Sequence, residues 1–273
     1  MRSFLAAVLC LIAIVGAAIA VPALWVNERV VDGDGFSETV APLADNSEIQ
    51  QLIADEITAQ VGAAAPLVPS ALVSPLAKAY TESDEFPKDF VEVMNQQHDW
   101  LFDEAKPEDE GQVMSLDLTP MVNRVLADQG LGGITVEGPI EVPLSDSAQS
   151  GLEAGRYHHL GEQIGYIAFG SAIAAIIAGL GALVIARRRG FVLVAVGFGV
   201  VVGGALTWLL GEWARRRAQD EVSGAEGSSR QVADLMVDKV VDNMQNVALI
   251  SVGAGVALAA VGLLISVFLE RRR

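Results

Sequence analysis

Four uninterrupted apolar runs divide the chain: Phe4 to Val26, Ile164 to Ala186, Phe191 to Leu210 and Val247 to Leu269. None of them holds an Asp, Glu, Lys, Arg or His. Helices of this length rise roughly 30 to 35 Å, which matches a hydrocarbon core of about 30 Å. The pattern therefore predicts transmembrane helices over 4–26, 164–186, 191–210 and 247–269. A large polar stretch, 27–160, and a shorter one, 211–246, lie between them.

Within 27–160 the apolar positions first recur at helical spacing. Ser47-Glu48-Ile49-Gln50 has the spacing of a capping box, and Ile49, Leu52, Ile53, Ile57 and Val61 then form one face. A second amphipathic helix is predicted from about Phe86 to Phe102, with Phe86, Phe90, Val93, Met94 and Leu101 on its buried stripe. Pro66, Pro69 and Pro75 read as interruptions between the two. The period then changes. Met114, Leu116 and Leu118 alternate with Val113, Ser115 and Asp117 as a half-buried strand requires. Thr119-Pro120 opens a short helix carrying Met121, Val122, Val125 and Leu126, which Gly130 stops. Ile134, Val136, Ile140, Val142 and Leu144 share one parity of a further, proline-containing strand suited to a sheet edge. A crossover unit and a hairpin-like arrangement both fit this order. In 211–246, Val232, Leu235, Met236, Val240 and Met244 make one face of an amphipathic helix that runs into the fourth span. The expected fold class is an α-helical membrane protein with four transmembrane helices and a helix-rich α+β extracytoplasmic domain containing a small sheet.

Charge gives the pattern a direction. The chain is 52% hydrophobic and carries a net charge of −16, but 27–160 alone holds 25 Asp/Glu against 6 Lys/Arg, a balance of −19. Such a field repels nucleic acid and anionic headgroups and attracts cations or basic protein surfaces. Arg2, Arg187 to Arg189 and Arg271 to Arg273 flank the opposite ends of the spans and belong on the cytoplasmic side, so the acidic domain is expected outside. Trp25, Tyr157, Tyr166, Trp208 and Trp213 would then form an aromatic belt at the outer interface. Arg215 to Arg217 fall in the stretch assigned outside and are expected to dock against the acidic domain. Ala18-Ile19-Ala20 has the form of a processing site, which allows the first span to be a signal peptide cleaved after Ala20. Retention is favoured, because the apolar run continues through Val26 to a full bilayer length. Cys10 is the only cysteine, which rules out an intramolecular disulfide, and the bulky Leu9 before it argues against a lipid attachment site.

Asp34-Gly-Phe36-Ser-Glu-Thr-Val-Ala-Pro42-Leu-Ala-Asp45, the helix with Ala54 and Thr58, and Leu116-Asp-Leu-Thr-Pro120 together resemble a class of uncharacterised actinobacterial membrane proteins. These have one span, an ectodomain and then three spans, so the resemblance covers nearly the whole length. It implies a multi-pass protein of the plasma (cytoplasmic) membrane in a Gram-positive cell envelope, and it implies no activity.

Candidate chemistry is sparse. Asp32 and Asp34, in Asp32-Gly33-Asp34-Gly35, alternate as oxygen ligands for calcium or magnesium would, but the further ligands of an EF-hand loop do not follow. A capped turn leading out of the first span is the favoured reading. His158-His159, with Glu153 and Glu162 nearby, hint at a metal. Adjacent helical residues point about 100° apart, so interfacial polar residues are favoured there. His98 lies on the apolar stripe of its helix and reads as a core histidine. No nucleophile elbow, zinc-protease helix, phosphate-cradling loop or nucleotide signature occurs, so no catalytic or cofactor-binding residue is assigned and an enzyme is not expected. The spans lack the ionisable groups of transport pathways. They carry small residues instead: Ser171, Ala175 and Gly179; Gly199 and Gly203; Ser251, Gly255 and Ala259, expected to assemble this one bundle. The functional expectation is a non-catalytic cell-envelope protein whose acidic ectodomain is an interaction or scaffolding module for a protein partner at the outer face. The alternatives are a divalent-cation-responsive sensor and an accessory subunit of a transport or envelope-lipid assembly.

Overall fold

A computed structural model of the chain describes residues 2–64, 69–109, 112, 115–117, 141–143, 153–222 and 228–269. In chain order its elements are α1 (Arg2–Val26), α2 (Gly33–Val40), α3 (Ser47–Ala64), α4 (Ser70–Thr81), α5 (Phe86–Phe102), β1 (Ser115–Asp117), β2 (Glu141–Pro143), α6 (His158–Ile185), α7 (Arg189–Val222) and α8 (Ser228–Leu264). The chain divides into two compact units. One comprises Met1–Val30, Gly161–Asp220 and Val237–Arg273; the other comprises Val31–Leu160 and Glu221–Met236.

The first unit holds four helices long and apolar enough to cross a membrane, within Arg2–Val31, His158–Ile185, Arg189–Ala218 and Val237–Phe268. The chain is accordingly a multi-pass membrane protein. Its bundle is packed through small residues, and its large apolar side chains point outward. Ala13, Ala17, Ala168, Ala182 and Ala248 are buried, whereas Phe4, Phe169, Ile177, Phe191 and Ile250 are exposed.

A glycine seam joins α7 and α8. A Cβ at Gly190 would stand 2.5 Å from the Gly262 carbonyl oxygen, one at Gly197 2.6 Å from that of Gly255, and one at Gly204 2.8 Å from that of Ala248. At the next step Gly211 meets the side chains of Met244 and Val241. The seam residues lie seven apart on each helix and run antiparallel, the spacing of a left-handed supercoiled pair. Gly199 and Gly203 face α1, where added Cβ atoms would stand 2.8 Å from the Ile14 oxygen and 2.9 Å from Val21 Cβ. Gly16 of α1 in turn abuts Ser171 and Ala175 of α6. The small residues of the spans thus serve contacts within one chain.

Two expectations change in this unit. Trp25, expected in an interfacial belt, is buried, and its indole N–H donates to Asn243 Oδ1 at 3.1 Å. Arg215, expected to dock on the acidic domain, lies 3.3 Å from Asp238 Oδ1 and 3.2 Å from Asp242 Oδ1 on α8, while Arg216 pairs with Glu212 at 2.9 Å. Helical continuation beyond the apolar run supplies both carboxylates on the facing helix.

The acidic unit has a conventional apolar core of Val40, Leu43, Ala44, Ile49, Tyr80, Phe86 and Phe90, flanked by Phe36, Ile53, Ile57, Val91, Met94 and Leu235. Two of its helix entries are capped by a local side chain. The Asp32 carboxylate accepts from the Gly35 N–H at 2.9 Å and caps α2. Asn46 Oδ1 accepts from the N–H groups of Glu48 and Ile49 and caps α3, one residue before the expected box. The Gln50 side chain accordingly donates to the Ala44 oxygen rather than closing a box on Ser47. Helix α4 was not expected, since Pro75 lies inside it. Its inner positions Ala77 and Tyr80 are buried, and that packing outweighs the missing N–H.

The α+β class does not hold. The described residues are helical almost throughout, and strand is confined to two segments of three residues. These pair antiparallel with Leu116 opposite Val142, too short a ladder to form a sheet layer. Alternation over a few residues signals extended chain, not the number of neighbouring strands. The helix expected from Thr119 to Gly130 and most of the strand from Ile134 to Leu144 lie outside the described residues.

Candidate functional site

Helix α5 carries two buried polar side chains of the acidic unit, Asp89 and His98. Its amphipathic stripe turns Phe86, Phe90 and His98 inward, and Asp89 is buried with them. The Tyr80 hydroxyl donates to Asp89 Oδ2 at 2.7 Å, so the buried carboxylate is held by a phenol from α4. Asp89 escaped the sequence reading. The available signal was an acid one position before Phe90 on a stripe that otherwise excludes charge.

His98 is sandwiched between Phe36, at a centroid distance of 4.7 Å, and Phe102, at 4.8 Å. Phe102 extends the stack to Tyr157 at 5.8 Å. Helices α2 and α5 are thereby joined to the turn that precedes α6. The backbone does the same: the Gly155 N–H donates to the Trp100 oxygen and the Tyr157 N–H to the Leu101 oxygen. His158 Nδ1 completes the set at 2.9 Å from the Phe102 oxygen. Three carbonyls that the end of α5 leaves without helical partners are thus satisfied by one short segment. Gly155 makes the approach possible, with φ of +65° and space for no side chain, since a Cβ would stand 2.8 Å from the Ala105 nitrogen.

Asp32 and Asp34 are both exposed on the first turn of α2, where Asp32 is the cap. Among the described residues they belong to no group of three potential metal donors. His158, His159 and Glu162 do form such a group, with one donor atom from each within 4.8 Å of the others. The group includes the Glu162 that the sequence places beside the histidine pair. At 100° per residue Glu162 falls at 40°, between His158 at 0° and His159 at 100°. Glu153, expected nearby, is not part of the group.

Helix α5, its aromatic stack and the turn into α6 are therefore held together by ring contacts and backbone hydrogen bonds. Comparison with protein-family models, curated proteins and solved structures finds no match to this chain.

Proposed function

We propose that the chain is a non-catalytic protein of a bacterial plasma membrane whose acidic unit, held outside the cytoplasm, docks or scaffolds a protein partner with a basic surface. The placement of the carboxylates carries this reading. Asp34, Glu48, Asp55, Glu92, Asp103 and Glu104 all face solvent on different elements of the unit. Its lysines are few, and Lys78 and Lys88 already pair with Glu82 and Glu85 on their own helical turns. The excess negative charge is thus presented outward, where it steers association with complementary surfaces. The titratable groups inside have structural work instead: Asp89 holds Tyr80, and His98 is stacked between two rings. The arginines at Arg2 and in the Arg187 to Arg189 turn support the orientation.

The test is purification of the full chain in mild detergent at low ionic strength. A reproducible partner that dissociates as salt is raised supports the proposal. Absence of any reproducible partner at low ionic strength contradicts it.

A further inference from the structure

We propose that His158, His159 and Glu162 form a binding site for a zinc-class divalent cation at the start of α6. The three residues fall within five consecutive positions of one helix, so their mutual placement follows from helix geometry alone. One donor atom from each lies within 4.8 Å of the others, and the two imidazole rings are 5.4 Å apart between centroids. A zinc ion with bonds of about 2.0 to 2.2 Å to imidazole and carboxylate requires donors closer than this, a contraction that side-chain torsions supply without moving the backbone. Both His159 and Glu162 are exposed.

An independent observation fixes the orientation of one ligand. A carbonyl oxygen can only accept, so the contact between His158 Nδ1 and the Phe102 oxygen at 2.9 Å places the proton on Nδ1. Nε2 of the neutral ring is then left with its lone pair. A histidine anchored through one nitrogen to a backbone carbonyl is the arrangement that orients metal-bound imidazoles. Here the anchor is the end of α5, which the Gly155 turn and the Phe102–Tyr157 ring contact already hold. The donor set of two imidazoles and one carboxylate selects zinc-type ions over calcium or magnesium, which prefer all-oxygen shells. It leaves further coordination positions for water. The partial positive charge of the helix N-terminus opposes a cation, and the Glu162 carboxylate offsets it.

The experiment titrates zinc alone into the full chain, purified in detergent without a histidine tag, against a chromophoric chelator. Uptake of one equivalent is expected, weakened by more than about tenfold in each of His159→Asn and Glu162→Gln. Glu153→Gln should bind as the parent does, separating the site from the general acidity of the surface. Cobalt in place of zinc should show visible absorption bands that the two ligand variants lose. Both variant positions are exposed, so unchanged melting curves without metal are expected and confirm that folding is intact. Failure of the parent chain to take up an equivalent of zinc overturns the proposal, as does uptake that His159→Asn and Glu162→Gln leave unaltered.

Discussion

The two units of this chain are packed by opposite rules. In the acidic unit the buried side chains are large, Phe86, Ile49, Tyr80, Phe90 and Leu43, and carboxylates cover the outside. In the membrane unit the buried positions are mostly alanine and glycine, and large apolar residues such as Phe169, Ile177 and Phe198 face outward. The difference follows from the solvent. Removing a large apolar side chain from water is favourable by about 1.5 to 3 kcal/mol, so a water-facing domain gains by hiding its phenylalanines. Between helices in lipid that gain is absent, and close backbone approach decides the contact. The same residue type therefore has a different value in each half of one chain.

Substitutions can break that contrast from either side. The largest effect is expected from Phe86→Ala, which empties a fully buried site and should destabilise the acidic unit by about 3 to 5 kcal/mol. Hydrogen exchange read peptide by peptide should show loosening over α2 to α5 and none along α7. Next comes Gly197→Val. A Cβ there would stand 2.6 Å from the Gly255 oxygen, so the helices must part, at about 1 to 3 kcal/mol or more. Denaturant titration in detergent should show the loss, whereas Phe198→Ala, one residue away and outward-facing, should change stability by less than about 0.5 kcal/mol. If Phe198→Ala proves the more damaging of the two, the small-residue account of the bundle fails.

A smaller effect is expected from Tyr80→Phe, which removes a donor to the buried Asp89 carboxylate and should cost about 1 to 2 kcal/mol, seen in the acidic unit's unfolding transition. Smallest is Asp32→Ala. Losing the cap of α2 should cost about 1 kcal/mol, and Asp32→Asn should restore most of it, since an amide oxygen caps equally well. Full rescue by Asn in the presence of calcium or magnesium would also separate capping from ion binding at that turn.

The sequence disclosed elements whose cause is local. The stripe of Phe86, Phe90 and Met94 gives α5, and uninterrupted apolar runs give the spans. It was misleading where partners decide. Pro75 reads as a breaker, yet α4 forms around it because Ala77 and Tyr80 are buried. Asn46 and Ser47 are both good caps, and Asn46 is the one that accepts from the Glu48 and Ile49 N–H groups, while the Gln50 side chain turns to the Ala44 oxygen. Small residues four apart pointed to Gly199 and Gly203, but the seven-residue seam from Gly190 to Gly211 needs the antiparallel partner to be recognised. Trp25 looked interfacial until Asn243 supplied an acceptor. At the candidate site the adjacent histidines and Glu162 were visible, but the Phe102 carbonyl anchor, 56 residues away, was not.

Side of the membrane is the claim on which the partner proposal depends, and the single native cysteine makes it directly measurable. In a Cys10→Ala background, Asp99→Cys places one thiol at an exposed position of the acidic unit, and Arg188→Cys places one in the exposed turn between α6 and α7. A membrane-impermeant maleimide applied to intact cells should label the protein carrying Asp99→Cys. It should label the one carrying Arg188→Cys only after permeabilisation. The reverse pattern would place the acidic unit in the cytoplasm and contradict the account.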